Sequence, residues 1–201
     1  MNRLTIFNTP VLKNILRGFS LLLLKLAGWK QAGRLPDQPR YVIIVAPHTS
    51  NWDLYYGILL AFAFRLNPRF IAKHQLFRPP FASLMNWLGG LPVDRSSSHN
   101  AVEQMVGLFR DQKHFVLALA PEGTRHKAAG WKSGFYHIAV KARVPIQLAF
   151  LDYASHSGGA GPLLEPTGNL DRDMQTIRTF YQTVSGKYAD NVSPVVMGPK
   201  A

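Results

Sequence analysis

Five short apolar runs, at residues 41–46, 69–73, 91–93, 114–120 and 145–151, alternate along the chain with segments of helical length at 52–65, 80–88, 99–112, 133–142 and 171–188. Short apolar runs bounded by turn signals read as buried strands, and strands that alternate with helices build a sheet covered by helices. The expected fold is therefore α/β, with a mixed or mostly parallel sheet. In an open sheet of this kind ligands gather at the carboxyl ends of strands. No internal repeat is present. The stretch at 155–161 (SHSGGAG) reads as a flexible surface loop rather than a phosphate cradle, since it lacks the lysine of a P-loop and no helix follows directly. Pro36 and Pro39, with polar neighbours, read as a linker between an N-terminal segment at 1–35 and a domain at 36–201.

Three polar clusters sit at the predicted strand ends. The first is His48-Thr49-Ser50-Asn51-Trp52-Asp53. On one continuous helix a spacing of five puts two residues about 140° apart, so His48 and Asp53 can meet only across a turn that leads into a helix. Asn51 or Ser50 is the candidate N-cap. A carboxylate on one imidazole nitrogen fixes the tautomer and leaves the other nitrogen free to take a proton. The alternative is a capping carboxylate beside an unrelated histidine. The second cluster is Pro121-Glu122-Gly123-Thr124-Arg125. Gly123 allows close backbone approach, Thr124 can donate a hydrogen bond, and Arg125 offers a planar fork for phosphate or carboxylate. Glu122 either pairs with Arg125 or holds it for an anionic substrate. The third, Gly89-Gly90-Leu91-Pro92-Val93-Asp94-Arg95, supplies in Arg95 either a second anion contact or half of a surface ion pair.

Taken in order, these clusters resemble the sequence blocks of the glycerolipid acyltransferases typified by bacterial 1-acyl-glycerol-3-phosphate acyltransferase. HTSNWD resembles the H-x4-D block, GGLPVDR the intermediate block ending in arginine, PEGTR the third block residue for residue, and Val144-Pro145-Ile146 the fourth. Together they cover about half of the chain. The resemblance implies acyl transfer from a thioester, acyl-CoA or acyl-carrier protein, to a hydroxyl of a lysolipid. It assigns His48 as base and Asp53 as its orienter, and associates Glu122, Gly123, Arg125 and Arg95 with the acceptor's phosphate. Lys73, after the second predicted strand, resembles a basic position often found there; the ordinary reading is a solvated strand-end lysine. No cofactor is implied beyond acyl-CoA or acyl-carrier protein as cosubstrate.

The residues bear on mechanism independently. The chain has no cysteine and no G-x-S-x-G elbow, so direct attack by the acceptor hydroxyl is simpler than a covalent acyl-enzyme. An oxyanion site is expected from backbone N–H groups at a helix start. The remaining histidines, at 74, 99, 114, 126, 137 and 156, show no metal-ligand spacing, and no metal is expected. Trp52, Tyr55 and Tyr56 flank Asp53 and either line an acyl tunnel or pack in the core.

A net charge of +12 calls for an anionic partner, a membrane surface or a nucleic acid. Asp53, Asp94 and Glu122 in the central clusters would repel a phosphate backbone, which argues against nucleic acid. Between residues 11 and 26, apolar side chains at 11, 12, 15, 16, 19, 22, 23 and 26 form a helical stripe, with Lys13 and Arg17 on the other side. The stretch at 18–24 is too short to span a bilayer, and Lys25 interrupts it. The expectation is an amphipathic helix lying in an anionic membrane interface; the alternative is a helix packed on the core. With a thioester donor this places the protein on the cytoplasmic face of a membrane, peripheral or monotopic, in a bacterium the inner membrane.

Overall fold

The computed structural model describes residues 4–93 and 98–198. In chain order the elements are α1 (Leu12–Leu26), β1 (Lys30–Ala32), β2 (Arg40–Ala46), α2 (Asn51–Ala63), β3 (Pro68–Lys73), α3 (Ala82–Trp87), β4 (Gly90–Val93), α4 (Ser98–Asp111), β5 (Phe115–Leu119), α5 (Gly134–Ala142), β6 (Ile146–Asp152), β7 (Ser157–Leu164) and α6 (Leu170–Tyr181). Short 3-10 turns follow at His74–Phe77 and Ala189–Asn191. The seven strands form one sheet in the order β1-β7-β6-β2-β5-β3-β4. β6, β2, β5, β3 and β4 are mutually parallel, β7 is antiparallel to β6, and β1 is parallel to β7. The sheet is thus mixed and mostly parallel, as expected.

Alternating side chains of the central strands feed two cores. Val42, Ile44, Leu117, Ile146 and Leu148 pack against Met105 and Phe109 of α4, Phe135 and Ile138 of α5, and Met174 and Ile177 of α6. Each such fully buried side chain stabilises the fold by about 1.5–3 kcal/mol. Tyr41, Ile43 and Ala149 point to the opposite face. There Leu24 of α1 and Leu59 and Leu60 of α2 share a cluster with Trp29 and Leu151. Arg17 of α1 ties the two helices by donating from Nε to the Ala63 carbonyl at the end of α2, 3.3 Å.

α1 packs on the core along one side only. Leu24 and Ser20 are buried, while Val11, Ile15, Phe19, Leu22 and Leu26 remain exposed along the other side. Two expectations need correction. The stretch read as a loop at 155–161 is a turn only to His156, after which β7 begins. β7 lacks β-branched residues and alternation because its glycines admit neighbours at close range: a Cβ on Gly159 would lie 2.0 Å from the Ala32 carbonyl oxygen, and one on Gly161 would lie 2.2 Å from the Phe180 ring. The last helix also ends at Tyr181 rather than near 188. The chain after it turns back over the end of β6, where Tyr153 N–H donates to the Ser185 carbonyl and Ser185 N–H to Asp152.

Candidate active site

β6, β2 and β5 are adjacent and parallel, so the turns leaving their carboxyl ends converge. The turn after β2 carries His48 and leads directly into α2. Ser50 is the N-cap, accepting from Trp52 N–H at 3.1 Å, and the Asp53 carboxylate answers by accepting from Ser50 N–H at 2.8 Å. This capping box holds Asp53 in the first helical turn, folded back toward the preceding loop. His48 Nδ1 lies 3.2 Å from Asp53 Oδ2, and Thr49 N–H donates to the same oxygen at 2.7 Å. The capping and orienting readings are therefore both true of one carboxylate.

Asp53 is buried, and its environment fixes its charge. Burial alone would raise its carboxyl pKa, but hydrogen bonds from His48, Tyr153, Ser50 and Thr49 outweigh it and hold the pKa below the ordinary 3.8. An ionised Asp53 accepts, so the proton between the pair sits on His48 Nδ1 and leaves Nε2 as the basic nitrogen. The side chain of His48 is 27% exposed, open enough for a substrate to reach.

The turn after β5 brings Glu122, buried at 3% exposure, against the same loop. Its Oε1 accepts from His48 N–H at 3.0 Å, and Oε2 has no partner among the described residues. Burial raises its carboxyl pKa above the ordinary 4.5, against the opposing hydrogen bond from His48 N–H. Glu122 thus braces the backbone of His48, with its carboxylate turned from solvent. Gly123 adopts φ +67°, and a methyl there would come within 3.0–3.1 Å of the Lys132 stem and ammonium. Thr124 accepts from His126 N–H at 3.2 Å. Arg125 is exposed and donates from Nη1 to Asn51 Oδ1, so it stands at the start of α2 rather than pairing with Glu122. Lys73 closes β3 opposite Val93 of β4. Arg95 and Asp94 lie outside the described residues.

Sequence reasoning missed Tyr153, which follows β6 and donates its hydroxyl to Asp53 Oδ1 at 2.7 Å. The strand-end rule that exposed the other clusters points equally to Asp152-Tyr153 after the run at 145–151. It also missed Lys187, whose ammonium lies 5.4–5.9 Å from the ring centres of Trp52, Tyr153 and Tyr188. Oxyanion donors were expected at a helix start, but at the start of α2 the backbone donors are largely committed: Thr49 and Ser50 N–H serve Asp53, and Trp52 N–H serves Ser50. A cavity of about 450 Å³ opens at the other ends of β2 and β5, lined by Arg34, Tyr41, Arg65 and His114. It lies at the wrong end of the sheet to take part in chemistry at His48.

A partly exposed histidine bonded to a buried carboxylate thus lies at the carboxyl ends of a mostly parallel sheet, where such folds place their ligands. The acyltransferase family model matches residues 32–148, and the chain belongs to that family. It is 30% identical over 154 residues to the 1-acyl-sn-glycerol-3-phosphate acyltransferase of Streptococcus pneumoniae, covering 72% of this chain and 56% of that one. It is 34% identical over 120 residues to the human 1-acyl-sn-glycerol-3-phosphate acyltransferase alpha, covering 55% and 40%. The chain thus spans about half the length of the curated relatives it matches. The crystal structure of the 1-acyl-sn-glycerophosphate acyltransferase from Thermotoga maritima superposes with a TM-score of 0.60 at 17% identity, over 88% of this chain and 82% of that one, a likeness of fold.

Proposed function

We propose that the protein moves a fatty acyl group from a thioester, acyl-CoA or acyl-carrier protein, to the free hydroxyl of 1-acyl-glycerol-3-phosphate. The observation that carries this reading is the His48–Asp53 pair, with Nδ1 engaged and Nε2 left to act. The relatives' names supply the acceptor class. As the acceptor oxygen attacks the thioester carbonyl, Nε2 takes the hydroxyl proton. The tetrahedral intermediate then collapses, the C–S bond breaks, and the imidazolium returns its proton to the departing thiolate. Arg125, with Lys73 and Arg95, holds the acceptor's phosphate. Gly123 and Thr124 shape the turn that presents Arg125, and Glu122 acts through His48 rather than on the anion.

Support for a membrane-facing role comes from the exposed stripe Val11, Ile15, Phe19, Leu22 and Leu26 on α1. Leu54, Tyr55 and Ile58 are exposed on α2, the helix that α1 packs against. Lys13 and Lys25 are exposed on α1 and suit anionic headgroups. Among the described residues no helix is long and apolar enough to cross a membrane.

The test is acyl transfer from acyl-CoA and acyl-carrier protein onto lysophosphatidate, other lysophospholipids and lyso-ornithine lipid in mixed micelles, for the wild type and His48→Ala. The expected result is phosphatidate from the wild type and a rate at least about 10³-fold lower from the variant. Product on a different lysolipid would move the acceptor. Equal rates from both proteins would remove His48 as the base.

A further inference from the structure

The geometry assigns Tyr153 as a positioning residue for the acyl-transfer base: its hydroxyl holds Asp53 in the rotamer that orients His48. This rests on the reading of His48 and Asp53 given above, and it extends the site beyond the matched region, which stops at residue 148.

The two oxygens of Asp53 have separate duties. Oδ2 faces His48 Nδ1, Thr49 N–H and Ser50 N–H, whereas Oδ1 receives the Tyr153 hydroxyl at 2.7 Å. A carboxylate held through one oxygen can still rotate about its Cβ–Cγ bond; a donor on the other oxygen stops that rotation. Tyr153 is itself fixed. Its N–H donates to the Ser185 carbonyl at 2.9 Å, and the next residue's N–H donates to Asp152 at 3.3 Å. Its ring meets Trp29 edge-on at 5.0 Å and Tyr56 at 6.1 Å, with the Lys187 ammonium 5.4 Å from its centre. A phenylalanine would fill the same space and make the same ring contacts, yet would leave Oδ1 without this donor. Burial, and then the neighbouring Asp53, push the phenol well above its ordinary pKa, so it remains a donor across the working range. The titratable and charged groups around the pair are Glu122 after β5, Tyr56 on α2, and Lys187 and Tyr188 after α6. Tyr153→Phe leaves each of these side chains in place.

The experiment compares wild type, Tyr153→Phe and His48→Ala on the acceptor that the wild type uses, measuring kcat and KM across pH. Tyr153→Phe should lower kcat about ten- to hundredfold with KM within about twofold, the scale of one hydrogen bond to a carboxylate. Without that donor the Asp53 charge is less stabilised and the His48–Asp53 pair holds a proton more tightly. The acid limb of the pH–rate profile should therefore move to higher pH. The Nδ1 proton resonance of His48 should move as well, a readout independent of turnover. A variant with wild-type kcat, pH profile and resonance would overturn the assignment, and so would a fall in kcat with the limb and resonance unmoved, which marks loosened packing. Retained activity in His48→Ala defeats the underlying reading instead, so the two failures are distinguishable.

Discussion

Glu122 is the residue whose behaviour departs most from what its position in PEGTR implies. A buried carboxylate with one oxygen on His48 N–H has no room to meet a phosphate, and like charges would repel. Its raised pKa sets the sign of its pH dependence. A folded-state pKa above the unfolded value gives stability that is fully present below the unfolded pKa and is lost as pH rises through the folded one. Glu122→Gln keeps an acceptor for His48 N–H and removes that loss, so its Tm at pH 8 should equal or exceed the wild type's. Glu122→Ala strands the N–H and should cost about 1–3 kcal/mol in denaturant unfolding. Equal destabilisation of both variants would count against the bracing role. Asp53 has the opposite sign, since its pKa is lowered. Its stabilisation is present above the ordinary 3.8 and is lost as pH falls through the lower folded value. Asp53→Asn should be less stable than wild type at pH 7, with the gap closing below about pH 4, as read from Tm against pH.

Among the elements, α1 and β7 were the hardest to read from sequence, for different reasons. The stripe on α1 was legible as a period of 3.6, but a period does not tell which side faces the core. Leu24, outside the stripe, is the buried leucine, with Leu21 and Leu23 packed beside it, and Val11, Ile15, Phe19, Leu22 and Leu26 are the outward ones. Replacing Ile15 and Leu22 by glutamate should therefore leave Tm within about 1 kcal/mol of stability while reducing sedimentation with anionic vesicles several-fold. β7 was illegible because its residues were chosen for what approaches them. Gly159→Ala, whose Cβ would meet the Ala32 carbonyl, should displace β1 and destabilise by about 1–3 kcal/mol in urea unfolding. By contrast, the five mutually parallel strands and the PEGTR and HTSNWD turns were readable, because buried parallel strands are largely apolar and their exits are abruptly polar.

At the scale of the whole molecule, the strand order explains why the clusters were found together and why Tyr153 escaped. β2 and β5 are neighbours, and β6 flanks β2 on the other side, so residues remote in sequence share one edge. Chemistry-rich motifs announce that edge in a sequence; a lone tyrosine does not. The bonds that finish the site join residues 74 apart, His48 to Glu122, and 100 apart, Asp53 to Tyr153. Contacts of that span form only after long loops have closed. During synthesis the exposed apolar side of α1 leaves the ribosome well over a hundred residues before Tyr153. A growing chain thus displays that apolar face long before the hydrogen bonds that tie His48 and Asp53 to the rest of the sheet can be completed.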